Sequence, residues 1–90
     1  MVTFDEPKRQ ENIAKHKLDF LGCDAVFDHP VVTTEDTREA YGEERLVLVG
    51  MSQGQLLAVV YTERGERVRI ISARKATKHE QDDYFRQNAP

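Results

Sequence analysis

Apolar residues gather in the second half of the chain, in runs separated by short polar pairs. Glu43–Ser52, Gln55–Arg64 and Arg67–Arg74 are rich in Val, Leu and Ile and read as strands. Gln53-Gly54 and Gly65-Glu66 are each placed to be two-residue hairpin loops. Val2-Thr3-Phe4 reads as a short edge strand. Asp5 then serves as N-cap, with Pro7 and Lys8 opening a helix that runs to His16. That helix has little apolar surface beyond Ile13 and Ala14, and Lys8, Asn12, Lys15 and His16 share one polar stripe. Asp19 is expected to start a second helix, with Phe20, Cys23, Val26 and Phe27 as its apolar face, ending before His29-Pro30. Val31–Glu35 is β-prone, Asp36 to Gly42 is a polar loop, and Ala76 to Gln87 is a closing helix.

Register sharpens this reading. Residues flanking an even-length hairpin loop face each other and share a sheet face. One face then carries Glu43, Arg45, Val47, Val49 and Met51, beside Leu56, Ala58, Val60, Thr62 and Arg64, then Arg67, Arg69, Ile71 and Ala73. The other carries Leu46, Leu48, Leu57, Val59, Tyr61, Val68 and Ile70, a surface apolar enough to be packed against helices. Arg45, Thr62, Arg64, Arg67 and Arg69, with Glu43, would converge as a charged rim beyond an apolar floor. A loop of three residues would break that convergence.

Ninety residues support one domain with one core. A charged share of 32% beside an apolar share of 39% suits a globular chain. There is no apolar run of membrane-spanning length and no signal-peptide core at the N-terminus, and Cys23 has no disulfide partner. These features point to the cytoplasm and to no membrane contact. The formal net charge of −3 argues against nonspecific coating of nucleic acid. Its distribution matters more: residues 1–44 carry a net −6, whereas residues 64–79 carry +5. A local polyanion contact, selective and salt-dependent, fits that asymmetry.

The arginine rim has two readings, an anion site built from guanidinium forks or a solvated hairpin tip that resists edge aggregation. His16, at a helix C-terminus, is a capping residue or a poised acid or base. His29 and His79 have no partner pattern. No His/Cys pair has zinc-ligand spacing, no glycine loop cradles a phosphate and no serine sits in a nucleophile elbow, so no metal or cofactor is expected.

Three stretches, taken together, resemble the BrnT family, the toxin half of a bacterial toxin–antitoxin pair. The first is Phe4-Asp5 with Lys8, Asn12, Lys15-His16, Leu18 and Phe20. The second is Asp36-Thr37-Arg38 with Tyr41-Gly42-Glu43 and Arg45. The third runs from Val59 through Tyr61-Thr62-Glu63-Arg64-Gly65 and Arg69-Ile70-Ile71-Ser72-Ala73-Arg74-Lys75-Ala76 to Glu80 and Tyr84. The resemblance implies an α+β, RelE-like fold, with two N-terminal helices and a C-terminal helix around an antiparallel β-sheet. It implies a ribonuclease that cuts RNA without a metal. It also implies a BrnA-type ribbon-helix-helix antitoxin as partner, forming a hetero-oligomer through which alone operator DNA is reached. Two departures stand out. Phe4 occupies a position where the family commonly has Trp, and Glu80, Asp82 and Asp83 make the last helix mixed rather than basic, which weakens the case for Lys78 on RNA.

The family pattern contains most of the rim arginines, which favours the anion-site reading. The expected reaction is attack of a ribose 2′-hydroxyl on the adjacent phosphate. Charge stabilisation falls to Arg64 and Arg69, and His16 or Glu43 is the base. Lys8, Lys15, Arg45, Arg67, Arg74 and Lys75 are the RNA-binding set. The competing expectation is a non-catalytic protein-interaction or nucleic-acid-associated module with a basic patch, which has no need of His16 and Glu43 near the arginines.

Overall fold

The computed structural model describes residues 2–28, 32–35, 44–52 and 54–88. Its elements are β1 (Val2–Phe4), α1 (Glu6–His16), a 3-10 helix (Cys23–Phe27), β2 (Val32–Glu35), β3 (Leu46–Ser52), β4 (Gln55–Arg64), β5 (Arg67–Lys75) and α2 (Lys78–Gln87). The five strands form one sheet in the order β1-β5-β4-β3-β2. Neighbours are antiparallel except β1, which lies parallel to β5 with Thr3 opposite Arg69.

Two expectations are corrected. The second N-terminal helix is only a 3-10 helix of five residues, because Gly22, at φ 91°, breaks the segment that Asp19 was to open. The sheet is mostly rather than wholly antiparallel, since β1 leads into α1 instead of a hairpin and β5, from late in the chain, lies parallel beside it.

The apolar face behaves as its alternation predicts. Leu48, Leu57, Val59, Tyr61 and Ile70 are buried with Cys23 and Val26 from the 3-10 helix and Phe20 just before it, and Leu46 and Val68 pack at the margin. Burial also explains why the Cys23 thiol is pushed up to about 11, with Asp19 and Asp24 adding to the rise. That thiol is inert packing.

On the opposite face, Val49, Leu56 and Ala58 pack against Ala76 and Tyr84. Tyr84 of the chain's last helix therefore covers part of the apolar floor. Thr77 starts that helix with a capping box. Phe85 remains exposed.

The β4–β5 hairpin has the two-residue loop expected, with Arg64 opposite Arg67 and Thr62 opposite Arg69. Tyr61 pairs with Ile70 but Val60 pairs with Ser72, so Ile71 is an extra residue in β5, a bulge. Side-chain parity flips beyond it. Ala73 joins the buried face it was expected to oppose, while Ser72 and Arg74 turn to the face of Val60 and Ala58.

Candidate functional site

The bulge builds a site at the α1 side of β5. Beyond Phe4 the edge of β5 has lost its strand partner, and α1 takes over. Asn12, 5% exposed, donates from Nδ2 to the carbonyl oxygens of Ala73 and Leu18, each at 2.9 Å, and accepts from the Ala73 N–H at 3.0 Å. One amide thus replaces a strand pairing and fixes α1 to the bulge.

With Asn12 turned inward, the rest of the polar stripe surrounds a cleft of about 280 Å³ lined by Lys8, Glu11, Asn12, Lys15, His16, Ile71, Ser72 and Arg74. Four predicted site residues, Lys8, Lys15, His16 and Arg74, meet there. Pro7 and Glu6 start the helix that carries three of them, and Lys17, at φ 61°, ends it immediately after His16. His16 therefore sits in the last turn of the helix.

Arg74 is held in a fork. Its Nη1 and Nη2 donate to Oε1 and Oε2 of Glu80 at 2.6 and 3.0 Å. Arg74 and the Thr77 backbone N–H hold the Glu80 carboxyl below the usual carboxylate range, against the opposing effect of burial.

The rim residues lie elsewhere. Arg64 and Arg67 are exposed at the hairpin, around Gly65 at φ 64°. Arg69 donates to Asp5 at 2.7 Å. Asp5 thus occupies the N-cap position of α1 without making the side-chain cap expected of it. Arg45 is half-buried just before β3, next to Glu44, whose carbonyl accepts from the Thr62 hydroxyl at 2.9 Å. Four residues of β5 lie between Arg69 and Arg74, roughly 16 Å along an extended strand. Lys75 lines a different open cavity with Met51, Leu56, Gln81 and Phe85. Glu43 lies outside the described residues, as do His29 and Asp36-Thr37-Arg38. Among the described residues, no group of three or more His, Cys, Asp or Glu side chains is placed to hold a metal ion.

Sequence reasoning left out Asn12 as an anchor, Ser72 as a cleft residue and Glu80 as the partner of Arg74. Two signals were available. Thr77-Lys78-His79-Glu80 has capping-box spacing, and the doublet Ile70-Ile71 interrupts the alternation of β5 where the bulge occurs.

The chain is similar to known proteins in sequence and in fold. A family model described as "Ribonuclease toxin, BrnT, of type II toxin-antitoxin system" matches residues 4–80. The crystal structure of the Brucella abortus ribonuclease toxin BrnT is similar at a TM-score of 0.63 and 33% identity, covering 86% of this chain and 96% of that one. No curated protein matches the chain. The family match begins at Phe4, beside β5, and ends at Glu80, the partner of Arg74, so it encloses the whole cleft. The chain belongs to the BrnT family of ribonuclease toxins of type II toxin–antitoxin systems.

Proposed function

We propose that this protein cleaves RNA without a metal ion, in the cleft between α1 and β5. The observation that carries the reading is the convergence of Lys8, Lys15, His16 and Arg74 on one cavity. His16 takes the proton of a ribose 2′-hydroxyl, whose oxygen attacks the adjacent phosphorus. The bond from phosphorus to the 5′-oxygen breaks as that oxygen takes a proton from a lysine ammonium, Lys8 or Lys15. A 2′,3′-cyclic phosphate and a free 5′-hydroxyl result. Negative charge grows on the phosphoryl oxygens during attack, and a guanidinium already in place stabilises it without reorganising. Arg74 has that position.

Arg45, Arg64, Arg67 and Arg69 then act as a track for flanking phosphates, with Lys75 farther round the surface. Arg64 and Arg69 serve binding in this arrangement, because the reacting groups gather at the other end of β5. The scaffold is read as RelE-like, with helices against a mostly antiparallel sheet. A BrnA-type ribbon-helix-helix antitoxin is the proposed partner. The proposed setting is the cytoplasm, where cleavage halts translation until the antitoxin binds.

The test is cleavage of a defined RNA by purified protein in EDTA, with the ends mapped. Cutting that persists and leaves 2′,3′-cyclic or 3′-phosphate ends is expected. Activity that disappears with chelator and returns with Mg²⁺ would overturn the mechanism. RNA that is bound but left whole would make the chain the non-catalytic module instead.

A further inference from the structure

An arginine side chain samples many rotamers, so a guanidinium stabilises a transition state only if something fixes it. Here that partner is Glu80. Its two carboxylate oxygens each take one Nη of Arg74, a fork-to-fork pairing that sets both distance and orientation. The pair is mostly shielded, at 28% exposure for the arginine side chain and 20% for the glutamate.

Glu80 is itself fixed twice over. Its Oε1 accepts from the Thr77 backbone N–H at 2.8 Å, and its own N–H donates to the Thr77 hydroxyl at 3.2 Å. These two bonds are the capping box of α2, and they use one carboxylate oxygen and one backbone donor. A cap needs no more than that. Oε1 is shared between the Thr77 N–H and Nη1 of Arg74, while Oε2 and the negative charge serve Arg74, so the start of α2 is tied to the end of β5.

We infer that Glu80 is a positioning residue for RNA cleavage, holding the guanidinium of Arg74 where the scissile phosphate lies. This rests on the proposed cleavage reaction. The pairing partly neutralises Arg74 and so weakens its general pull on phosphate. In exchange it removes the freedom that would otherwise have to be lost in the transition state. Loss of Glu80 should therefore lower kcat more than it raises KM.

The test uses the whole chain in four forms: Glu80→Gln, Thr77→Ala, Arg74→Ala, and Arg74→Ala combined with Glu80→Gln. Glu80→Gln keeps an oxygen for the Thr77 N–H but loses the charged fork. It should lower kcat about tenfold with KM within about twofold. Thr77→Ala removes the hydroxyl half of the cap and leaves the fork, so it should lower Tm while kcat stays within about twofold. Arg74→Ala should be the more damaging single change, and adding Glu80→Gln to it should cost nothing further.

NMR of the arginine side chains supplies a readout independent of turnover. The Nη protons of Arg74 should give separate, restrained signals in the wild type that average in Glu80→Gln. A kcat loss in Thr77→Ala equal to that in Glu80→Gln would show that capping alone is at work, and would overturn the inference. Additive losses in the double variant would do the same. A wild type that cuts RNA beside a Glu80→Gln variant that cuts equally well overturns the positioning role alone. A wild type that leaves RNA intact overturns the cleavage reading and this role with it.

Discussion

The two ends of β5 carry the same kind of side chain in opposite circumstances. At the hairpin, Arg64 and Arg67 are exposed and lie opposite each other across a two-residue turn that contains Gly65. At the other end Arg74 is forked by Glu80, Asn12 clamps the bulge, and a histidine and two lysines of α1 line the same cavity. Charge in open water acts at a distance and is screened by salt. Charge fixed in a partly shielded cleft acts through geometry. Counting arginines makes the hairpin the better site. Asking which arginine is brought beside a histidine and two lysines makes it the cleft.

The sharpest test of that contrast is kinetic. Arg74→Ala should reduce cleavage about a hundredfold, close to 2.7 kcal/mol of lost transition-state stabilisation. Arg64→Ala and Arg67→Ala should each cost no more than about fivefold. Measured kcat/KM on one RNA decides it, and equal losses at the two ends would return the chemistry to the rim.

The next largest difference is in stability. Asn12→Ala strips both backbone groups of Ala73 of their partner in a buried setting, at about 1–3 kcal/mol for each group left unsatisfied. An unfolding free energy from urea titration lowered by about 2–3 kcal/mol overall is expected, whereas Arg64→Ala should stay within about 0.5 kcal/mol. An Asn12→Ala variant as stable as the wild type would mean that α1 is held to β5 in some other way.

How much of this was legible follows from the range of each signal. Strand alternation and two-residue loops are local, so β4 begins and ends where the sequence placed it, and α1 runs to His16 as read. The cleft depends on parity across the Ile71 bulge, and a single inserted residue reverses every assignment after it. Hence Arg69 was placed correctly beside Thr62, while Ala73 was put on the wrong face and Arg74 was not brought to His16. Asn12 was read as part of a polar stripe because its sequence neighbours are polar. Nothing local announces a bond to a residue 61 positions away. Glu80 was legible as a cap but not as a clamp, because the arginine it holds comes from another element.

Acid separates the two ends more gently. The Glu80 carboxyl titrates below its ordinary value of 4.5 because Arg74 binds the charged form. A depressed folded-state pKa gives stability that is present above 4.5 and lost as pH falls through the folded value. Asp19, forked by Arg9 and bonded to the Leu21 N–H, behaves in the same direction. Unfolding midpoints should therefore fall below about pH 4.5, and Glu80→Gln should flatten part of that decline. Its share should be under about 1 kcal/mol, since water still reaches the pair. A decline of unchanged slope in Glu80→Gln would mean that the fork adds nothing to stability.

The smallest expected effect belongs to the hairpin and is the one that defines its role. If Arg64 and Arg67 do no more than meet RNA phosphates, each contributes through displaced counterions rather than a fixed bond. For single-stranded RNA each such contact adds about 0.7 to the slope of log K against log salt. Arg64→Ala or Arg67→Ala should thus reduce the slope by about that amount, roughly a 2.6-fold difference in affinity loss between 50 and 200 mM salt. The change should be nearly the same for RNAs of different sequence, because phosphates carry no sequence information. Arg74→Ala should depart from this pattern. Its effect on turnover should persist at high salt, where Coulomb attraction through solvent is screened but a preplaced donor is not. Fluorescence titrations at four salt concentrations, run beside single-turnover cleavage, measure both quantities on the same proteins. Should Arg67→Ala leave the slope unchanged, the hairpin is outside the RNA path and its charges serve only to keep the sheet edge in solution.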